Sequence, residues 1–324
     1  MKIYLSDSQR MLSVPLKYLT EEQMKIYLSG NYLDNVERVD KLVHRRLLSY
    51  YYDGMTNVTE TLRRQTALGK DLFLDSGAYS ALTQNLSIPL EKYTTFVLEW
   101  QDKFQKIAGL DVIGDAEASM KNFRYMKAAG ARIIPTFHYG EPFEALDAML
   151  AECGEDGIGI GGVAQLGTGE ALRNWLDLAW ERIADKGGNP KVKVHGFAVT
   201  SPYYCMRYPW HSVDSTSWLM AGALGSVTIF MGGKLCKIAI SASSPDAKKV
   251  GGIHYNELSP IEQAFVKNHI EALGTNLEEC AVGGENFPAY CARAIVNIAA
   301  FQEMERIAAA ADRRFFHKTK GLFD

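Results

Sequence analysis

The chain has 324 residues, 47% of them hydrophobic and 23% charged, with a formal net charge of -3. That is ordinary globular composition, enough for one barrel-sized domain, and its slight acidity excludes a protein that coats nucleic acid by bulk attraction. No apolar run reaches the roughly 18 residues of a membrane span, and MKIYLSDSQR lacks the apolar core and cleavage site of a signal peptide. The sequence therefore predicts a soluble, cytoplasmic protein with no membrane partner. Five scattered cysteines without a C-x-x-C pair predict neither a disulfide framework nor a zinc ribbon. Basic pairs such as Arg45/Arg46, Arg63/Arg64 and Lys248/Lys249 read as solvated surface.

Strand-like runs alternate with helical patterns along the chain: KIYLS (2–6), LFLDS (72–76), LDVIGD (110–115), RIIPTFH (132–138), GIGIGG (157–162), VKVHGFAV (192–199), SVDS (212–215) and SVTIFM (226–231). Eight short apolar strands with helices between them predict an α/β fold, a closed (β/α)8 TIM barrel, as a single domain over 1–324. Residues 32–68 read as a helical insertion after the first strand. The region from about 255 to 324, with an Ala-rich helix over 287–311, reads as a helical extension that packs on the barrel or forms a homodimer contact. Thr20-Glu21-Glu22-Gln23 and Ser259-Pro260-Ile261-Glu262 have the form of capping boxes. Gly274 and Gly130 read as helix stops. The chain shows no internal repeat in this reading.

In such barrels the reactive groups stand on the loops after the strands. That rule collects Asp75-Ser76-Gly77-Ala78-Tyr79, Asp115, His138, Gly161-Gly162, His195-Gly196 and Asp214 at one mouth. Each has a plain alternative: Asp115 and Asp214 could each cap the helix that follows, worth about 1 kcal/mol, the glycines could form a turn or a phosphate site, and the histidines could be scaffold. Carboxylates converging on one pocket suit chemistry at a sugar carbon, where one carboxylate stabilises or traps an oxocarbenium-like centre and another moves the proton. A planar base beside that sugar would use an aromatic face, a carboxylate for its N–H groups and backbone amides for its carbonyl.

These residues resemble the tRNA-guanine transglycosylase superfamily. LDSGAYS is similar to the family's Asp-Ser-Gly-Gly-Tyr/Phe-Gln motif, IGGVAQLGTGE to its Gly-Gly-Leu-Ala-x-Gly-Glu stretch, LDVIGD to the strand ending in its base-reading Asp, and HGFAVTSP with SVDSTSW to its Met-Gly-x-Gly-x-Pro and Gly-Val-Asp-x-Phe-Asp pair. The likeness runs from about residue 70 to 220. It implies Asp214 as the nucleophile and Asp75 as the proton-transfer acid. It also implies that Ser76, Tyr79, Asp115, His138, Gly161, Gly162, His195 and Gly196 hold the base. His138 stands where the tRNA enzymes have glutamine and His195 where they have methionine, while a literal register puts Ser217 at their nucleophile. Their Cys-x-Cys-x-x-Cys zinc site is replaced by widely spaced Cys280, Cys291 and His317, so no metal or other cofactor is expected. Short length, the VDSTSW form and the missing zinc module most resemble the DpdA-type 7-deazaguanine DNA transglycosylases of phages and bacteria. The implied partners are DNA and a 7-deazaguanine base such as preQ0. The alternatives are a tRNA substrate, a non-catalytic nucleic-acid-binding subunit, or an unrelated barrel enzyme that uses Gly161-Gly162 for phosphate.

Overall fold

The computed structural model describes residues 24–30, 36–54, 58–163, 166, 169–311 and 314–315. The strand expected at residues 2–6, the capping box at Thr20 and His317 lie outside them. The chain forms two compact units, one built on 24–29 and 45–215, the other on 30–44 and 216–310.

The first unit is the (β/α)8 barrel. Its strands are β1 (Lys25–Ser29), β2 (Arg45–Ser49), β3 (Asp71–Asp75), β4 (Lys106–Ile107), β5 (Thr136–His138), β6 (Ile158–Gly161), β7 (Val194–Gly196) and β8 (Ser212–Ser215). All are parallel, in the order β4-β3-β2-β1-β8-β7-β6-β5. The two ends of that order meet through a parallel bridge between Ala108 and Ile134, with Ile134 N–H donating to Ile107 and Gly109 N–H to Ile134. The interior is filled by Tyr27, Leu47, Phe73, Ala108 and Ile134, with Phe197 against them, as a packed barrel requires.

The strand count of eight survives, but three of its members change. MKIYLS occurs twice, at 1–6 and 24–29, so the chain does contain a short repeat. The described barrel strand is the second copy. Residues 32–68 are not an all-helical insertion: RRLLS forms β2, with Arg45 and Arg46 buried rather than solvated. In LDVIGD the strand ends earlier, at Lys106–Ile107, and Gly114 turns the loop at φ 85. SVTIFM is β9 (Ser226–Met231), paired antiparallel with β10 (Lys234–Ala239) in the second unit. Gly232-Gly233, both at positive φ, between two apolar runs is a hairpin turn, which is why this run never enters a parallel barrel.

Glycine is required at position 157, before β6. Its φ is 89, and a Cβ there would run into the Lys193 carbonyl, whose oxygen accepts the Ile158 N–H at 2.9 Å. Gly157→Ala is expected to destabilise the barrel by ~3 kcal/mol or more, because left-handed backbone and a backbone clash add. Urea unfolding checks this; a loss under ~1 kcal/mol would show that the β6–β7 edge yields.

The second unit packs β9 and β10 on helices Pro260–Ala272, Leu277–Ala281 and Ala289–Ala309 around Val227, Ile229, Ile238, Val266, Ile270 and Val296. The Ser259 capping box forms as expected, with Ser259 accepting from Glu262 N–H and Glu262 accepting from Ser259 N–H, and Gly274 follows that helix at φ 76. Inside this unit Asn297 accepts from Thr228 N–H at 2.6 Å and donates to the Trp218 carbonyl at 2.7 Å, so its buried amide is satisfied. No helix among the described residues is long and apolar enough to cross a membrane.

Candidate active site

The barrel's two ends differ chemically. At the N-terminal end of β3, Asp71 accepts from Tyr27 hydroxyl at 2.6 Å and faces Lys25 and Arg45 at 3.6 and 3.7 Å, one carboxylate between two cations. At the C-terminal ends stand Ser29, Asp75, Asp111, His138, Gly161 and Asp214, with Glu141 one turn beyond, giving four carboxyl groups and one imidazole pair-partner.

Asp75 ends β3, and its carboxylate accepts the N–H groups of Ser76 and Gly77. Gly77 allows this turn: its φ is 76, and a Cβ would lie 2.6 Å from Ser49 Oγ and collide with Tyr51. Those two donors favour the charged form, yet burial first, then the charges of Asp111 and Asp214, push the Asp75 pKa up to about 7. The side chain keeps some exposed surface while protein surrounds it closely. Asp214, on β8, therefore lies near enough to Asp75 for its charge to act on it.

Asp214 is buried and held on both oxygens. Oδ2 accepts from Ser29 Oγ at 2.8 Å and Oδ1 from Ala198 N–H at 2.7 Å. Ala198 takes φ 55 to present that N–H, a left-handed conformation uncommon for a residue with a Cβ. Asp214 does not cap the helix Ser217–Ala223, which starts after Thr216 without a side-chain cap.

His195 lies wholly inside the barrel, edge-on to Phe73, Phe197 and Tyr27 with centroids at 4.3, 4.5 and 6.2 Å. Its Nδ1 is 2.9 Å from Ser212 Oγ and its Nε2 3.5 Å from Asp214 Oδ1. Burial lowers its pKa against the upward pull of Asp214, so the ring is neutral at pH 7. Hydroxyl, imidazole and carboxylate stand here in the order a serine hydrolase uses, but Ser212 is completely buried and out of a substrate's reach. His195 fills the barrel and braces Asp214. Gly196 is buried too; a Cβ there would press on Val199 and Trp210.

The loop after β4 contributes a residue the sequence reading passed over. Asp115 is exposed and caps the helix Ala116–Ala128, accepting from Ala118 N–H at 2.9 Å. The carboxylate that joins the cluster is Asp111: its Oδ2 is 2.8 Å from His138 Nε2 and its Oδ1 accepts from Ser76 Oγ at 3.2 Å. The strand ends before Gly109, so the first Asp of LDVIGD, not the last, stands at the barrel mouth. Its sequence signal is the apolar stretch KIAGL that runs directly into it.

His138 ends β5 and also meets Glu141, whose Oε2 accepts the His138 N–H at 2.9 Å while Oε1 lies 3.4 Å from Nδ1. Burial opposes the charge on His138, but Asp111 and Glu141 outweigh it and raise the pKa to about 9. Gly161 sits against this ring, where a Cβ would lie 3.0 Å from Cδ2 and 3.2 Å from Nε2. Gly162, at φ 74, is exposed, and Tyr79 is half-exposed on the helix Ala78–Thr83.

Among the described residues no group of three or more His, Cys, Asp or Glu side chains is arranged to hold a metal ion. Cys280 and Cys291 are buried in the second unit with raised pKa values, Cys280 to about 11, chiefly through burial. The site thus brings together a carboxyl whose pKa is raised to about 7, Asp75, a second held on both oxygens, Asp214, and a third between His138 and Ser76, Asp111. Comparison with known proteins gives no match to any family model and none to any curated protein.

Proposed function

We propose that the chain is a transglycosylase that exchanges guanine in DNA for a 7-deazaguanine base. The observation that carries this reading is the convergence of Asp75, Asp111 and Asp214 from three strand ends, with Asp75 brought to about 7 by burial and by the other two. A mouth rich in carboxylates favours the positive charge that develops on a sugar when its base departs. In this reading Asp214 attacks C1′, the C1′–N9 bond breaks as Asp75 gives a proton to the leaving base, and the glycosyl group rests on Asp214. The incoming base then attacks C1′, Asp75 takes back its proton, and the Asp214 ester bond breaks. Asp111 replaces Asp115 as the acceptor for the base's N–H edge, with Tyr79, half-exposed, as the stacking ring and the Gly161-Gly162 turn beside it. The target base must leave the stack to reach such a mouth. The preference for DNA over tRNA rests on the sequence resemblance alone.

Incubation of the protein with labelled guanine and, in parallel, duplex DNA and tRNA tests this. Label is expected in DNA. Label in tRNA only turns the reading to a tRNA enzyme, and label in neither polymer removes base exchange.

A further inference from the structure

His138 and Glu141 are brought together by one turn. In His138-Tyr139-Gly140-Glu141 the Glu141 N–H donates to the His138 carbonyl at 3.1 Å, and Gly140 has φ 88, the left-handed third residue that lets i and i+3 face each other. The chain thus folds the Glu141 carboxylate back onto His138, where one oxygen takes the backbone N–H and the other faces the ring. The far ring nitrogen faces Asp111 at 2.8 Å.

A neutral imidazole has one N–H and one lone pair. With a carboxylate at each nitrogen, a neutral ring would set a lone pair against an acceptor on one side, so the arrangement asks for two N–H groups. Glu141 is itself almost fully buried, and a buried carboxylate needs a cation or a full set of donors; His138 donates its backbone N–H to Oε2, and its ring Nδ1 stands 3.4 Å from Oε1, at ion-pair distance without a hydrogen bond. The charged groups in contact with the ring are Asp111 from the loop after β4 and Glu141 from the turn, whereas Gly161 of β6 lies against it without a side chain.

We propose that Glu141 is a positioning residue: it orients His138 so that Nε2–H is aimed at Asp111, and this buried carboxylate–imidazole–carboxylate relay fixes the acceptor that meets the substrate's N–H edge. Glu141 touches no substrate and acts through His138. The link to base recognition rests on the transglycosylase reading; the relay itself does not. Asp111 has its other oxygen tied to Ser76, so the relay leaves one defined direction for a donor on the base.

Two measurements on the whole chain test it. The first is NMR of histidine-labelled protein, with His138 assigned by its loss in His138→Gln. In the wild type the ring is expected to stay doubly protonated through pH 8, and in Glu141→Gln to titrate at least one pH unit lower. The second is guanine exchange: Glu141→Gln is expected to raise KM for guanine by about tenfold with less than about threefold change in kcat, because ground-state and transition-state contacts weaken together. An unchanged His138 titration overturns the relay, and so does a loss of kcat at constant KM. If Glu141→Gln does not fold, Glu141→Asp, which keeps the charge but draws it back, replaces it; an intermediate shift is expected and none overturns the proposal. Absence of exchange in the wild type would count against the proposed function and leave the NMR result to decide the relay.

Discussion

Asparagine at position 214 is expected to abolish base exchange, by ~10³-fold or more, while the barrel stays folded. The amide keeps the volume and hydrogen-bonding reach of the carboxylate. Its oxygen can accept from Ala198 N–H, and its NH₂ can donate to Ser29 Oγ, the two groups that hold Asp214 at 2.7 and 2.8 Å. What it loses is the negative charge that attacks C1′. Alanine is the poorer probe, since it would orphan two donors, at about 1–3 kcal/mol each, and confuse catalysis with stability. A direct measurement accompanies the rate: wild type mixed with DNA and no incoming base should yield a denaturation-resistant protein–DNA adduct, and Asp214→Asn none. Exchange within tenfold of wild type in Asp214→Asn would remove the covalent mechanism.

The parts of this arrangement that could be read from the chain are those where one local pattern dictates one local geometry. Asp75-Ser76-Gly77 is such a case: a strand end followed by a glycine that must take positive φ and pass close to Ser49 and Tyr51. GIGIGG is another, a short run of glycine and isoleucine that forms β6 (Ile158–Gly161). The misread parts are those in which tertiary pairing overrides local preference. The β-branched Val112-Ile113 suggests a strand, yet the barrel needs only Lys106–Ile107 and the single bridge at Ala108 there, so Asp111 follows the strand closely while Asp115 starts the next helix. RRLLS looks like a charged surface stretch because Arg46 is a residue type rarely buried, yet it is fully buried on β2. Two identical hexapeptides have the same propensity, so nothing local distinguishes residues 1–6 from β1. Glu141 was legible in principle, because a glycine two residues after His138 marks a turn that returns the fourth residue to the first.

Asparagine at position 75 is expected to have opposite effects on activity and stability. Asp75 titrates at about 7, so near neutral pH it serves both as the acid for the departing base and as the base for the incoming one, the condition under which acid–base catalysis is most effective. Wild-type exchange should therefore peak close to pH 7, falling below it as the incoming base finds Asp75 already protonated, and above it as the departing base finds no proton. Asp75→Asn is expected to lose ~10²- to 10⁴-fold and both limbs of that profile. The stability effect follows from linkage. The folded-state pKa is raised above the unfolded value, so the folded form binds the proton more tightly; the penalty is absent below about pH 4, grows as pH rises through the interval to about 7, and is complete above it. A rise from the ordinary 3.8 to about 7 corresponds to at most ~4 kcal/mol at 1.36 kcal/mol per pH unit, and partial exposure of the carboxyl reduces this to ~1–3 kcal/mol. Asparagine still accepts from the Ser76 and Gly77 N–H groups but no longer repels Asp111 and Asp214. In urea unfolding the variant should be more stable than wild type by that amount at pH 8 and nearly equal to it at pH 4. Equal stabilities at pH 8 would mean that the three carboxylates do not share one field, and the proton-transfer role given to Asp75 would lose its physical basis.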